Sequence, residues 1–367
     1  MLSQNGATVL LDSTFDILYS VFLTEISMQK IQAVYCLPLL LAMSASNSPS
    51  ASAADAGSTA SGYLLTANKG DQSLGIIDPA AAKQIAEVAE GGTTGHEVIA
   101  SPDGRLAYVP IYGNSGVGKP GTDGQTMVVI DIASQKIVGT LDFGHGVRPH
   151  CPIFNPKTGM LYVTTELDKT ISVIDPKTLK VIDTVPTGQD ESHMFTMSKD
   201  GRWGYTANVG PGTVSVIDLH AKKVVKIIPI SKTTQRIALS PDDKWVFTAD
   251  QTKPQLAVID AHKHVVKDWV ELPGLGYGTA PTSDGRWLIV AVPTVNKVSI
   301  VDLKTLKVIR NIDVPKSPQE VVVRPDDQVA YVSCSASHKV AAINLQDFTV
   351  TLIDAGKDTD GLAWAKR

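Results

Sequence analysis

A set of turn residues returns at nearly constant spacing along this chain, as in Ser-Pro-Asp-Gly at 101–104, Ser-Lys-Asp-Gly at 198–201 and Thr-Ser-Asp-Gly at 282–285. One position precedes each turn at a fixed offset. Its seven occupants are His96, His150, His193, Gln235, Tyr277, Gln319 and Asp360, with steps of 54, 43, 42, 42, 42 and 41 residues. A period near 42 residues is typical of repeat proteins in which each repeat is one supersecondary unit.

Each repeat has the pattern of four short strands. In the third repeat, strand-forming segments at 151–154, 160–165, 170–175 and 179–185 alternate with turns. Four antiparallel strands repeated seven times predict an all-β, seven-bladed β-propeller. The last repeat matches only a first strand, at 360–365, and the first begins with a second strand near residue 62. We therefore expect the C-terminal strand to pair with the N-terminal blade and close the ring, which removes exposed sheet edges.

Short motifs at the second strands carry a family resemblance. Tyr-Val-Thr-Thr at 162–165, Tyr-Thr-Ala-Asn at 205–208 and Thr-Ala-Asn at 66–68 resemble the signature of the YVTN-family β-propellers. The resemblance covers residues 62–367 and implies an exported seven-bladed propeller similar to the YncE-like and surface-layer-type repeat proteins. Related propellers include metal- or haem-bearing oxidoreductase domains and lactonase-like enzymes, so the resemblance implies a fold and leaves the activity open.

Composition and motifs exclude several classes of function. The formal net charge is -4 and the basic residues are scattered, so the sequence carries no footprint for nucleic acid. It contains no nucleophile elbow, no H-E-x-x-H helix and no Cys-x-x-Cys-His attachment sequence, and the last absence excludes covalent c-type haem. We expect a monomer without a transmembrane segment in the mature chain, whose partner is a protein or a small molecule.

The N-terminal region reads as a targeting segment. Residues 33–43 are an apolar run and Ala-Ser-Ala at 51–53 is a small-residue cleavage site, which predicts a signal peptide over 28–54 and a periplasmic or secreted protein. Residues 1–27 contain three acidic residues and are interpreted as a misassigned extension that precedes a true start at Met28. Residues 55–61 form the linker to the propeller. An uncleaved anchor is the competing interpretation.

The seven aligned positions are expected to ring one mouth of the central channel, because they lead into the first strand of each blade. His96, His150 and His193 stand on three adjacent blades, so their imidazoles can meet and offer three nitrogen ligands to one Zn or Cu ion. A polar ligand pocket without metal and simple solvated channel polarity remain alternatives. A Gly-rich insertion at 113–125 should emerge on the same face as a lid or recognition loop, or as a tolerated surface insertion.

Two functional hypotheses follow from these residues. In the first, the exported propeller binds a partner or small ligand at the histidine-bearing mouth, where a bound metal would contribute to binding. In the second, it is a metal-dependent oxidoreductase, lyase or lactonase-like enzyme. The second hypothesis assigns Glu97, Asp190 or Glu191 as general base and Arg148 or Arg236 as the group that holds an anionic substrate.

Overall fold

The computed structural model describes residues 61–367, which contain 28 strands. The first fourteen are β1 (Gly62–Asn68), β2 (Ser73–Asp78), β3 (Lys83–Ala89), β4 (Ile99–Ala100), β5 (Leu106–Gly113), β6 (Asp123–Asp131), β7 (Lys136–Asp142), β8 (Pro149–Phe154), β9 (Leu161–Thr165), β10 (Thr170–Asp175), β11 (Lys180–Pro186), β12 (Ser192–Met197), β13 (Trp203–Asn208) and β14 (Thr213–Asp218).

The second fourteen are β15 (Lys223–Pro229), β16 (Thr234–Leu239), β17 (Trp245–Asp250), β18 (Gln255–Asp260), β19 (Val265–Glu271), β20 (Thr279–Pro281), β21 (Trp287–Val292), β22 (Lys297–Asp302), β23 (Lys307–Asp313), β24 (Pro318–Val323), β25 (Val329–Cys334), β26 (Lys339–Asn344), β27 (Val350–Asp354) and β28 (Thr359–Lys366). Two single-turn 3-10 helices, Pro293–Val295 and Ser335–Ser337, are the only helices in this part of the chain.

These strands form repeated four-stranded antiparallel units, so the predicted all-β repeat architecture is confirmed. Five sheets contain β4–β7, β8–β11, β12–β15, β16–β19 and β20–β23. The sixth sheet joins β24–β27 to a unit of order β3-β2-β1-β28 through one parallel bridge between Asp354 and Lys83. In that last unit, β28 pairs antiparallel with β1 from Gly62↔Lys366 to Asn68↔Thr359.

An acidic or amide residue ends the third strand of every unit and fixes the turn that follows. Each side chain accepts a hydrogen bond from a backbone N–H two or three residues later, at 2.8–3.0 Å. The seven residues are Asp78, Asp131, Asp175, Asp218, Asp260, Asp302 and Asn344. This Asx turn explains the recurrence of the residue without a functional role.

The first strands of all seven units border one cavity of about 410 Å³. Its walls are mostly apolar, and it extends along these strands from Glu97 and Glu320 towards Leu239 and Trp364. Apolar clusters fill the spaces between neighbouring sheets, and Trp203, Trp245 and Trp287 pack there. The arrangement places the start of every first strand at one end of a shared channel.

Several features of the sequence lie outside this part of the chain. The predicted extension 1–27, the signal peptide 28–54 and almost all of the linker 55–61 fall on residues that the structure does not describe. Within residues 61–367, no helix has the length and apolar character needed to cross a membrane. Cys151 and Cys334 are both buried free thiols.

Candidate functional site

The aligned positions of the repeat lie at the entrance to the first strands. Five of them are the second residue of their strand and two come just before it, at His96 and Tyr277. The five are His150 in β8, His193 in β12, Gln235 in β16, Gln319 in β24 and Asp360 in β28. They share one level of the repeat. Their side chains belong to two groups, which meet where His150 Nε2 lies 4.0 Å from Glu97 Oε1.

The first group consists of the three histidines around one tyrosine. The His150 and His193 rings stack with centroids 3.6 Å apart and planes 30° apart, and His96 meets His150 edge-on at 5.7 Å. Tyr112 is the penultimate residue of β5 and belongs to no motif. The centroid of its ring lies 4.7–5.3 Å from those of all three histidines. His150 and His193 are buried, whereas His96 is half-buried.

Within this group, His193 is fixed by a carboxylate. Its Nδ1 lies 2.9 Å from Glu166 Oε2, and the Tyr112 hydroxyl donates to the same carboxylate at 2.9 Å. Because a carboxylate accepts, the proton is assigned to Nδ1 of His193 and the lone pair to Nε2. Carboxylate–histidine pairs of this kind orient both metal-ligating imidazoles and general bases.

The three imidazoles are neutral at pH 7. Burial lowers the pKa of His96 to about 3, with the charge of Lys69 acting in the same direction. Burial also holds the pKa of His150 well below its ordinary value, and it lowers the pKa of His193 against the opposing effect of Glu166. Neutral imidazoles retain a lone pair for a metal or a proton.

The rings do not have the arrangement of the expected zinc or copper centre. The His150 and His193 rings face one another, with centroids 3.6 Å apart and planes 30° apart. Among residues 61–367, no group of three or more His, Cys, Asp or Glu side chains is arranged to hold a metal ion. The donor set therefore does not fit a three-histidine Zn or Cu site.

The second group is a layer of buried ions centred on Arg236. Its guanidinium contacts Glu97 directly, Glu320 Oε2 at 2.6 Å and Asp360 Oδ1 at 3.2 Å. Lys69 Nζ binds the other oxygen of Asp360 at 2.9 Å. This layer lies at the end of the channel cavity, since Glu97 and Glu320 line that cavity.

A backbone irregularity brings Arg236 into this layer. The register between β16 and β17 shifts between Gln235 and Ala238, and Arg236 has φ +55°. Left-handed backbone is uncommon for a non-glycine residue and persists where surrounding contacts hold it. The bulge turns a side chain of the strand towards the channel axis.

The layer holds more negative than positive groups. Three carboxyl groups face two cations, so full ionisation would leave one negative charge in excess. Burial raises the pKa of Glu97 to about 8 although Arg236 opposes the shift, and burial raises the pKa of Glu320 as well. Burial likewise opposes the ionisation of Asp360, but Lys69 and Arg236 outweigh it and lower its pKa to about 2. Glu97 and Glu320 therefore keep one proton between them at pH 7.

The remaining predicted residues have other surroundings. Tyr277 lies under the Arg236 guanidinium at 5.1 Å, Gln319 donates to Ser317, and the Gln235 side-chain oxygen is buried without a partner. Asp190 is exposed and pairs with Lys169, so it lies outside both groups.

The insertion between β5 and β6 packs beside the histidine group. Arg148 holds it in place by donating to Asp123 Oδ1 at 2.6 Å and to the Lys119 carbonyl oxygen at 2.7 Å. A cavity of about 360 Å³ lies here, bordered by Glu166 and Glu191 among others. The lining contains three cations, Lys119, Arg148 and Lys169, and four carboxyl groups, Asp123, Glu166, Asp190 and Glu191. This side cavity therefore reaches Glu166, the partner of His193, from the side of the insertion.

Sequence reasoning missed four residues of the two groups, namely Lys69, Tyr112, Glu166 and Glu320. Lys69 and Glu166 directly follow β1 and β9, the second strands of their units. In an antiparallel pair, the second strand ends beside the start of the first strand. Charged residues that directly follow a second strand could therefore have been predicted to lie near the aligned positions. Glu320 directly follows the aligned position Gln319, as Glu97 and Arg236 follow His96 and Gln235.

Buried Glu90 supports the same region and carries a pH-dependent prediction. Its carboxylate accepts the Gly95 N–H at 2.8 Å, next to His96, and burial raises its pKa from 4.5 to about 7. The folded state keeps a proton that the unfolded chain releases, so stability should fall as pH rises from about 4.5 to about 7, by about 2–3 kcal/mol. Urea unfolding across this range should show the slope for the native chain and a shallower one for Glu90→Gln. The exposed control Glu271→Gln should keep the slope of the native chain. The native slope in Glu90→Gln as well would contradict the assignment.

Comparison with known proteins supports the fold. Residues 156–270, which include Glu166, His193 and Arg236, match the family model of the cytochrome D1 heme domain. No curated protein has a significantly similar sequence.

Three solved structures are similar over most of the chain. Hydrazine synthase of Kuenenia stuttgartiensis has a TM-score of 0.65 at 19% identity and covers 82% of this chain and 94% of its own. The periplasmic gluconolactonase PpgL of Pseudomonas aeruginosa has a TM-score of 0.66 at 16% identity, with coverages of 83% and 99%. The dihydro-heme d1 dehydrogenase NirN, solved in complex with DHE, has a TM-score of 0.61 at 14% identity, with coverages of 86% and 77%. These likenesses show that the chain has a β-propeller fold.

Proposed function

We propose that the seven four-stranded units form one closed, seven-bladed propeller of the YVTN type. The pairing of β28 with β1 supports closure, because it completes the unit that the N-terminal strands begin. The common cavity bordered by all seven first strands supports a ring around one axis. The Tyr-Val-Thr-Thr and Tyr-Thr-Ala-Asn motifs at 162–165 and 205–208 lie within the second strands β9 and β13.

We infer that the histidine face of this propeller binds a haem-type tetrapyrrole non-covalently, with His193 as the iron ligand. The observation that carries this inference is the Glu166–His193 pair, a neutral imidazole fixed by a carboxylate. It lies inside the segment that matches the cytochrome D1 heme domain. Glu166 holds the proton on Nδ1, and Nε2 is left as the donor atom for a metal.

One cation of the side cavity could contact the acidic periphery of such a group. Lys119 borders the cavity next to Glu166 and would pair with a carboxylate of the tetrapyrrole, whereas Arg148 and Lys169 already bind Asp123 and Asp190. Tyr112 would keep Glu166 oriented through its hydroxyl. Bound iron would supply one-electron redox chemistry, and the chain itself would supply the ligand, the cationic contacts and the exclusion of water.

Titration of the purified chain with haemin tests the proposal. The native chain should bind haemin in one-to-one stoichiometry with a shifted Soret band, and His193→Ala should weaken binding at least about tenfold. The matched control is His220→Ala, which removes an exposed histidine outside both groups and should bind as the native chain does. Absence of saturable haemin binding, or equal binding by both variants, would refute the proposal.

A second candidate function is hydrolysis of a lactone. The same Glu166–His193 pair would serve as a general base, because Nε2 of His193 can accept a proton from water. Arg148 at the side cavity would hold an anionic substrate. A rate of glucono-δ-lactone hydrolysis above background that disappears in Glu166→Gln would favour this candidate, and no acceleration by the native chain would remove it.

The N-terminal sequence supports export of the protein. We propose that residues 28–54 are a signal peptide, that 55–61 are a linker, and that the mature chain is a periplasmic or secreted monomer without affinity for nucleic acid. We expect cleavage near Ala53 or Ala54. N-terminal sequencing of the exported protein checks this directly, and a retained N-terminus beginning at Met1 or Met28 would favour an uncleaved anchor.

A further inference from the structure

The channel cavity is a second compartment, which begins at the layer of buried ions. Its volume of about 410 Å³ falls within the range of small-molecule sites. The walls are apolar, with Phe195, Ile237 and Leu362 among them. A cavity with these walls would bury the apolar part of a ligand.

One end of this cavity is acidic. Glu97 and Glu320 line it there, whereas Arg236 is almost fully covered and turned into the ion layer. The Glu320 side chain keeps 16% of its surface exposed, against 3% for Arg236, so Glu320 is the more accessible side chain of the pair. The excess of three carboxyl groups over two cations lies on this side of the layer.

A buried hydroxyl marks the same cavity independently. Thr279, at the start of β20, is only 7% exposed and lines the cavity, and its Oγ1 has no hydrogen-bond partner among the described residues. Buried hydroxyls nearly always find a partner, and leaving one unpaired costs about 1–3 kcal/mol. A ligand or water in the cavity would satisfy it.

We propose that the channel cavity binds a small amphipathic amine, with its apolar body along the first strands and its ammonium group at Glu320 and Glu97. An ammonium ion would take the place of the proton that Glu97 and Glu320 share and donate to Thr279 Oγ1, while the apolar walls bury its hydrocarbon part. Neutral analogues cannot replace the positive charge of that proton, and carboxylates would bring a further negative charge to the layer. This site is independent of the tetrapyrrole proposal, since it uses neither His193 nor the side cavity.

Calorimetric titration with three probes tests the proposal. Each probe has a phenyl ring on a four-carbon chain, and the three differ in the polar group at its end. 4-Phenylbutylammonium should bind at least about tenfold more tightly than 4-phenylbutanol, and 4-phenylbutanoate should not bind. Glu320→Gln should abolish the preference for the amine over the alcohol. This variant leaves Glu97 and Asp360 paired with Arg236 and Lys69, so it should fold. The exposed control Glu271→Gln should behave as the native chain.

A second variant locates the binding within the channel. Ala238→Leu adds bulk to the cavity wall and should weaken the amine and the alcohol alike, with circular dichroism confirming that the fold is kept. No binding of the amine up to about 10 mM, weaker than the range of specific small-molecule sites, would overturn the proposal. Equal affinity for all three probes, or an undiminished amine preference in Glu320→Gln, would overturn it as well.

Discussion

Replacing Arg236 with methionine should lower the free energy of unfolding by about 3–5 kcal/mol at pH 7, because it leaves buried carboxyl groups without their cation. Arg236 is 3% exposed and contacts Glu97, Glu320 and Asp360. Without it, only Asp360 would keep a cation, Lys69. Urea unfolding at pH 7 measures the loss. Lowering the pH to about 4 should recover part of it, since protonated carboxyl groups need no partner.

The matched control for this prediction is Arg202→Met. Arg202 also pairs with an aspartate, Asp218, and lies against a tryptophan, but its side chain is 52% exposed. Exposed ion pairs contribute little, so the expected loss is below about 1 kcal/mol. A loss in Arg236→Met no larger than that of Arg202→Met would show that the layer does not depend on its central cation.

Deleting residues 358–367 should cost most of the stability of the domain. The deletion removes β28, which pairs with β1 and buries Leu362, Ala363 and Ala365. It also removes Asp360 from the ion layer and the hydrogen bond from the Gly361 N–H to the His96 carbonyl oxygen at 2.9 Å. The exposed edge of β1 should then promote association between copies.

Thermal unfolding and size-exclusion chromatography measure this effect. We expect a fall in Tm of more than about 10 °C, which corresponds to several kcal/mol for a domain of this size, together with oligomers. Deleting only Arg367, whose side chain is 42% exposed, should change neither readout appreciably. A truncated chain that stays monomeric with an unchanged Tm would refute ring closure by β28.

Most of the fold could be predicted from the sequence, because every repeat carries the same pattern of strands and turns. Seven Asx turns, seven apolar first strands and a near-constant period each define the same unit, so an error in one repeat is corrected by the others. The same periodicity predicted that the aligned residues lie together where the first strands begin. The prediction of His96, His150 and His193 at neighbouring positions needed only the register of the strands.

The chemistry of the site was less accessible, because side-chain partners come from different repeat positions. The partner of His193 is Glu166, which follows a second strand of the preceding unit, and the nearer acidic residue Asp190 is exposed. The Arg236 guanidinium binds carboxyl groups from three other units, up to 139 residues away in sequence. Residue spacing does not predict the orientation of a ring, so three histidines in one register did not imply a metal-binding group, and residues 61–367 contain none.

Spectroscopy of the haemin complex tests the central claim most directly, because it reports the atom bound to iron. Electron paramagnetic resonance of the ferric complex should show histidine ligation in the native chain. Glu166→Gln should keep the ligand but alter the spectrum, because the hydrogen bond to Nδ1 becomes weaker. His193→Ala should lose the histidine signature, and added imidazole should restore it. A native spectrum without nitrogen ligation, or one that His193→Ala leaves unchanged, would contradict the assignment of the histidine face as the tetrapyrrole site.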